Sequence, residues 1–431
     1  MNMDMFYYYV QLCVRNFKRT PLFFSLIILT LSIGIGTLLA NLSMLSLMSQ
    51  DPIPGKSDQI FNVNMNTYAG STNNFGSMHT LRYSDAKAIL DADVAENATM
   101  HYATHVYSRR ADSEDLTRYS SNTRATTASF FDMMGAEFAH GKAWENEHGT
   151  EVVIGHKLNM TLFGGGNSVG KQVELQGKIY NIVGVLKPWH MRPLFYHASE
   201  GKAFDETDDL FVPIEVAIDN NWAIYARALS TDSYSVLSET RQINAYYIQT
   251  FVELIDEQQR LAFQTFIDSY AQQQKDKGNH RHEVDNRLYD VNAWLDENEV
   301  VNKDLLAFTF ATGIFLLVCI FNANSLMLSR YQAGQFEANL RRAVGASRKQ
   351  IFYQGVIESV ILGITCALIS LVLAISLLAL YRQLFEDLAP VAELPLHMIV
   401  IGVGVALASS LLSTIYPLVQ GARTPLASIL K

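Results

Sequence analysis

Four long apolar runs constrain the fold of this chain more than any other feature. They cover Leu22–Met48, Leu305–Ser329, Ser359–Tyr381 and Met398–Val419. A helix needs about 20 mostly apolar residues to cross the hydrocarbon core of a bilayer, and each run meets that length. Because each run is also too long for an ordinary buried helix, the sequence predicts a membrane protein with four transmembrane helices.

Small residues recur at every fourth position inside three of these runs. The triplets are Ser32, Gly36 and Ala40; Ser359, Gly363 and Ala367; and Gly402, Ala406 and Ser410. Small residues at this spacing let helix backbones approach closely in lipid. We therefore expect close packing through these faces, the alternative being that the small residues fall there by chance.

Composition supports a membrane protein, and it argues against nucleic-acid binding and against a disulfide-linked middle domain. Only 17% of the residues are charged, against about 25% in an average soluble domain. The net charge of −9 argues against a nucleic-acid-binding protein, which normally has a basic face. The only cysteines, Cys13, Cys319 and Cys366, lie in or beside apolar runs. The long middle of the chain must therefore fold around its own core, without disulfides.

The orientation follows from the basic flanks, because Lys and Arg in short loops favour the cytoplasmic side. Three segments are basic: one contains Arg15, Lys18 and Arg19; one contains Arg330, Arg341, Arg342, Arg348 and Lys349; and one contains Arg423 and Lys431. These lie before the first run, between the second and third, and after the fourth. We expect both termini in the cytoplasm and the long middle segment outside it.

The predicted fold is four transmembrane α-helices, one plus three, with a large α+β extracytoplasmic domain between helices 1 and 2. The predicted segments are a cytoplasmic amphipathic helix at 1–20, helix 1 at 21–49, the domain at 50–300, helix 2 at 301–329, a cytoplasmic coupling loop at 330–357, helix 3 at 358–381, a short outer turn at 382–397, helix 4 at 398–420 and a cytoplasmic tail at 421–431. A cleaved signal sequence is the alternative for the first run, although an h-region is only 7–15 residues long.

Local patterns indicate the α+β character of the middle domain. Apolar positions around Gly177 predict a two-stranded hairpin, and Ala245–Leu254 has the composition of a strand. Gln258–Lys275 has helical spacing, and Glu283–Val291 is expected to be another strand. Leu295–Ser329 is expected to be one continuous stiff helix that returns to the membrane.

Motifs for chemistry are weak. Gly165, Gly170 and Lys171 match part of a phosphate loop, but Gln172 replaces the magnesium-binding Ser or Thr, so we interpret the stretch as a structural turn. The spacing of the histidine pairs matches no closed zinc site, and we expect surface histidines at His190, His197, His280 and His282. No GxSxG or HExxH motif indicates hydrolysis. We predict no catalytic residues, bound cofactor or metal on this chain.

Several stretches, in order, carry a family resemblance. Leu340–Ser347, LRRAVGAS, follows the second run; Phe130–Trp144, Leu162–Lys171, Ile182–Leu186 and Phe211–Ile214 lie in the middle domain, and Pro417–Leu430 ends the chain. Together with the spans, they resemble a permease of the MacB/FtsX-like superfamily of ATP-binding-cassette (ABC) transporters. In this sequence only about twenty residues precede the first span, so no nucleotide-binding domain is expected ahead of it. Arg192–Leu237 matches no family stretch apart from Phe211–Ile214.

The resemblance implies a non-catalytic subunit whose cytoplasmic loop docks on a separate ABC ATPase, which binds the ATP and Mg²⁺. The expected ATPase-coupling residues are Glu337, Leu340, Arg341, Arg342, Val344, Gly345, Ala346, Ser347 and Ile351. The alternative is an ordinary loop whose charges only set topology. Two ATPases imply a second permease copy, giving a homodimer or a pair with a related permease.

Three functions remain open from the sequence. The first is efflux by mechanotransmission, in which ATP hydrolysis moves the periplasmic domain of an inner-membrane complex with a periplasmic adaptor and a TolC-like outer-membrane channel. The second is lipoprotein release or FtsX-like regulation of a cell-wall hydrolase. The third is a sensory permease that signals without transport. Each places the chain in a bacterial inner membrane, in contact with lipid and without nucleic acid.

Overall fold

The computed structural model describes residues 3–67, 79–114, 116–189, 191–225, 229–230, 245–334, 340, 344–345 and 347–423. The chain divides into two compact units. The helical unit comprises Met1–Ser49 and Val301–Lys431, and the sheet unit comprises Gln50–Val300.

The helices are numbered here in chain order. They are α1 (Met3–Arg19), α2 (Pro21–Met48), α3 (Tyr83–Asp91), α4 (Phe130–Met133), α5 (His156–Phe163), α6 (Ile214–Asp219), α7 (Glu257–Asp276), α8 (Val291–Glu297), α9 (Lys303–Ala333), α10 (Arg348–Leu384) and α11 (Leu396–Arg423). Two short 3₁₀ segments lie at Phe195–Glu200 and Glu386–Val391.

The predicted apolar helices are confirmed in the helical unit. Within the described residues, four helical segments are long and apolar enough to cross a membrane: Pro21–Met48, Lys303–Ala333, Lys349–Leu384 and Leu396–Pro417. These segments lie in α2, α9, α10 and α11, respectively.

Small residues bring these helices together, as their spacing predicts. A Cβ added to Gly36 of α2 would lie 3.0 Å from Leu373 Cβ of α10, and one added to Gly363 of α10 would lie 3.1 Å from Leu407 Cα of α11. Ser410 Oγ of α11 donates to the Ser359 carbonyl of α10 at 2.6 Å. Close van der Waals contact and interhelical hydrogen bonds are the interactions that hold helices together in lipid.

The sheet unit contains twelve strands in its described part. They are β1 (Ile60–Asn64), β2 (Asn97–Arg110), β3 (Tyr119–Thr126), β4 (Phe138–Gly141), β5 (Glu151–Ile154), β6 (Gln172–Leu175), β7 (Lys178–Leu186), β8 (Leu210–Pro213), β9 (Leu229–Ser230), β10 (Ala245–Tyr246), β11 (Gln249–Glu253) and β12 (Arg287–Asp290).

Ten of these strands form one mixed sheet, in the order β12-β1-β11-β2-β3-β8-β5-β7-β4, with β6 pairing to both β2 and β7. Because β6 bridges β2 and β7, six strands close into a ring: β2, β3, β8, β5, β7 and β6. The pairs β3–β8 and β5–β7 are parallel. Tyr102, Val152, Ile182 and Leu210 belong to the core and have no exposed surface.

Local predictions for this unit are confirmed. β6 and β7 form an antiparallel hairpin, whose turn residues Gln176 and Gly177 both have positive φ, as a two-residue hairpin turn of type I′ requires. The predicted helix 258–275 is α7, the predicted strand 245–254 contains β10 and β11, and the predicted strand 283–291 contains β12. Gly165 and Gly170 have φ of +86° and +84°, consistent with a turn.

The predicted continuous helix Leu295–Ser329 is wrong. α8 ends at Glu297, and α9 begins at Lys303. Glu299 has φ of +49°, which an α-helix cannot include. The Asn302 side chain then accepts from the Asp304 amide at 2.8 Å, and this N-cap starts a new helix.

Candidate functional site

The predicted coupling residues lie between α9 and α10, except for Ile351, which lies in the first turn of α10. Glu337, Arg341, Arg342 and Ala346 lie outside the described residues. The structure describes the other five, which are Leu340, Val344, Gly345, Ser347 and Ile351.

Leu340 and Val344 present two apolar side chains to solvent. The Val344 amide donates to the Leu340 carbonyl at 3.1 Å, so the pair is spaced by one helical turn. Residues four apart in such a turn share a face. The exposed fractions are 55% for Leu340 and 84% for Val344. An exposed apolar pair of this kind suits contact with another protein.

Gly345 and Ser347 shape the chain directly after this pair. Gly345 has φ of +111°, a conformation in which a Cβ is strained. Ser347 is the N-cap of α10: its side chain accepts from the Gln350 amide at 3.3 Å, and Gln350 Oε1 accepts from the Ser347 amide at 2.8 Å. This capping box satisfies free amides at the helix start. Ile351 follows in the first turns of α10 and is half-buried.

The sheet unit contains a second arrangement that the sequence reasoning missed. Arg124 of β3 is fully buried, and its Nε donates to Asp208 Oδ2 at 3.1 Å while its Nη1 donates to Glu200 Oε1 at 3.0 Å. His197 lies between the same carboxylates, with Nε2 at 3.1 Å from Asp208 Oδ2 and Nδ1 at 3.3 Å from Glu200 Oε2. We call Arg124, His197, Glu200 and Asp208 the buried charge cluster.

Each pKa in this cluster reflects burial opposed by charge. Burial raises the pKa of Glu200, but Arg124 and His197 outweigh it and lower that pKa to about 2. The pKa of Asp208 is also lowered, because the same two groups overcome its burial. Burial and Arg124 lower the pKa of His197, yet Asp208 and Glu200 outweigh them, so the net shift is upward. The carboxylates are therefore ionised, and His197 gains affinity for a proton.

The expectation of surface histidines is wrong at two positions. His197 and His280 are buried, and His280 Nε2 lies 3.3 Å from Asp85 Oδ1. Carboxylate partners make this burial possible, because a buried polar ring needs hydrogen bonds to replace those with water. His282 is half-buried, and His190 lies outside the described residues.

One sequence signal did point toward the buried charge cluster. Three of its residues come from Arg192–Leu237, the acidic and histidine-containing segment without a family counterpart. Their partner Arg124 lies in β3, about 70 residues earlier, and no local pattern connects it to them. The cluster as a whole was therefore beyond the reach of the sequence.

The sequence predicts no catalytic residues and no bound metal on this chain. In the part of the chain that the structure describes, no group of three or more His, Cys, Asp or Glu side chains is arranged to hold a metal ion. The buried charge cluster has a guanidinium between its carboxylates, which suits an ion-pair network.

Two family models match the chain. The MacB-like periplasmic core domain matches residues 24–266, and the FtsX-like permease C-terminal domain matches residues 309–426. No curated protein matches the chain.

Solved structures with similarity to the chain include two extracytoplasmic domains. The periplasmic region of MacB from Actinobacillus actinomycetemcomitans has 11% identity and a TM-score of 0.37, covering 59% of this chain and 99% of its own. The extracellular domain of the noncanonic ABC-type transporter YknZ from Gram-positive bacteria has 12% identity and a TM-score of 0.34, covering 52% of this chain and 99% of its own.

The first family model spans more than half of the chain, and the second covers all of α10 and α11 and most of α9, together with the loop between α9 and α10. The chain therefore belongs to the MacB/FtsX-like family of ABC transporter permeases.

Proposed function

We propose that this chain is the transmembrane subunit of an ABC transporter and that the loop between α9 and α10, here called the coupling loop, docks on a separate ATPase subunit. The observation that carries the proposal is the exposed pair Leu340 and Val344, which lies inside the region matched by the permease model. Permeases of this family work with ABC ATPase partners, which supports the same assignment.

The exposure of Leu340 and Val344 allows them to be buried on docking. Fully burying a Val or Leu side chain stabilises a contact by about 1.5–3 kcal/mol. The two side chains would supply an apolar anchor in a groove of the ATPase. Glu337, Arg341 and Arg342, which flank or lie within the pair in the sequence, would orient it electrostatically. The turn at Gly345 and the cap of α10 would hold the anchor at a set angle to that helix.

The work cycle that we propose uses ATP and Mg²⁺ bound by the partner ATPase. Closure of two ATPases would draw the coupling loops of two permease copies together, and the transmembrane helices would pass this movement to the periplasmic core domain. Because α8 and α9 are separate helices, the movement would reach the core domain through residues 298–302 instead of along one rigid rod. The two states must differ in contact energy for this to occur.

The direction of work that we propose is export, with a periplasmic adaptor and a TolC-like outer-membrane channel. The match to a MacB-like periplasmic core domain supports this choice. Lipoprotein release, control of a cell-wall hydrolase, and sensing are the other outcomes to be distinguished. Each would place a different protein beside the chain.

The test is purification of the tagged chain from native membranes, followed by mass spectrometry of the proteins that accompany it. We expect an ABC ATPase with the wild type and at least a tenfold loss of that ATPase with Val344→Asp, because a carboxylate opposes burial in an apolar groove. Leu116→Asp is the matched control, since Leu116 is 75% exposed in the sheet unit.

The proposal fails if no ATPase accompanies the wild type, or if Val344→Asp and Leu116→Asp retain equal amounts. An adaptor in the same sample supports export. A lipoprotein or hydrolase supports the second function, and a sensor kinase supports the third.

A further inference from the structure

An ion pair joins the two helices that flank the coupling loop. Arg330 lies in the last turn of α9, and its Nη2 contacts Glu358 Oε1 of α10. The side chains are only 16% and 5% exposed, respectively. α9 ends at Ala333, three positions after Arg330, and Gly334 is its C-cap. The pair therefore closes the base of the coupling loop.

The same pair lies at a junction of further helices. The Arg330 guanidinium lies over the Phe24 ring of α2, 4.3 Å from its centroid. Phe24 in turn contacts Phe17 of α1, with ring centroids 3.9 Å apart. Cys13 of α1 is buried, and its pKa is raised by burial and, to a smaller extent, by the charge of Glu358. Movement of the ion pair would therefore displace α1 and α2 as well as α9 and α10.

Stability alone does not account for such a pair. Burying two charges sacrifices their hydration, and apolar side chains of similar volume often serve stability as well or better. An ion pair also favours one relative placement of the two helices that it joins. Here the fixed placement is that of the two ends of the coupling loop.

We propose that Arg330 and Glu358 are positioning residues that hold the base of the coupling loop as one unit, so that displacement of the loop moves α9 and α10 together. This inference rests on the proposed function, in which the loop docks on an ATPase. Without the pair, the loop would still bind the ATPase through Leu340 and Val344, but its two ends could move separately. Binding would then persist while coupling is lost.

The experiment compares the wild type with Arg330→Glu, Glu358→Arg and the double variant that exchanges the charges. Each full-length chain is purified with its ATPase and placed in nanodiscs of phosphatidylethanolamine and phosphatidylglycerol. The measurements are ATPase recovery, the rate of phosphate release per ATPase, and maleimide labelling of Cys13 in a Cys319→Ala/Cys366→Ala background. Cys13 labelling reports whether α1 stays packed at the junction.

We expect each single variant to retain the ATPase but to hydrolyse ATP at least fivefold more slowly than the wild type. The double variant should return to within twofold of the wild type, which a purely structural role of either residue alone would not produce. If Cys13 in a charge-reversal variant is labelled as fast as in the denatured chain, that variant is misfolded. The neutral variants Arg330→Gln and Glu358→Gln are then used in its place, with the same expected fivefold loss of ATP hydrolysis.

The inference is overturned if folded single variants hydrolyse ATP at the wild-type rate. It is also overturned if a folded double variant hydrolyses ATP as slowly as the single variants. Failure of the proposed function has a different result, because the wild type would then recover no ATPase at all.

Discussion

Arg124→Met is predicted to destabilise the sheet unit strongly. Arg124 has no exposed surface, and its removal leaves Glu200 and Asp208, whose side chains are 6% and 2% exposed, without their main counter-charge. Breaking a buried ion pair by removing one partner costs about 3–5 kcal/mol. We expect the free energy of unfolding to fall by that amount.

The intact chain in detergent suffices for the assay. All four tryptophans, at 144, 189, 222 and 294, belong to the sheet unit, so their fluorescence during urea unfolding reports on that unit. With an m-value of about 2–3 kcal/mol per molar urea, the unfolding midpoint should fall by about 1–2.5 M.

The matched control is Lys157→Met. Lys157 pairs with Glu206 on the surface of the same unit, where the side chains are 68% and 67% exposed, and such pairs contribute about 0–1 kcal/mol. A midpoint shift no larger than that of Lys157→Met would refute the reasoning. The triple variant Arg124→Met/Glu200→Gln/Asp208→Asn should cost less than Arg124→Met alone, because no uncompensated carboxylate remains buried.

Two further predictions concern pH and helix packing. The pKa of His197 is raised in the folded state, so the contribution of its protonated form to stability is complete below about pH 6.5 and is lost as the pH rises through the folded pKa. The difference in unfolding free energy between the wild type and His197→Gln, measured by urea unfolding, should therefore shrink from about pH 6 to about pH 9. A difference that stays constant over this range would contradict the prediction. Gly363→Leu should lower the thermal midpoint of the chain in detergent, at a cost of about 1–3 kcal/mol from overpacking, because its Cβ would lie 3.1 Å from Leu407 Cα. Gly404→Leu, whose Cβ would meet nothing within 4 Å, is the control, and equal midpoints would contradict the packing argument.

Features that depend on nearby residues were predictable. The apolar runs became helices because length and composition alone satisfy the requirements of a bilayer. The hairpin at Gly177 followed because its turn needs positive φ, which glycine adopts without strain. The small residues of the spans marked the close contacts between α2, α10 and α11 for a similar reason, since only small side chains allow that approach.

Features that depend on distant residues were not predictable. Arg124 pairs with Glu200 and Asp208, which are 76 and 84 positions away, and no periodicity links them. The break between α8 and α9 was missed because no proline or glycine interrupts residues 295–312. Trp294 is buried, and its Nε1 donates to the Phe195 carbonyl at 2.9 Å, a contact that holds α8 within the sheet unit.

The sequence by itself determined the four apolar helices, the basic loop between the second and third, and the family, because each is encoded in contiguous residues. Only the tertiary structure decided which charges are buried together and where His197 lies. It also decided that Arg330 meets Glu358 across the base of the loop. These pairings depend on how strands and helices are brought together, and burial then gives each charge an interaction that its sequence neighbours do not reveal.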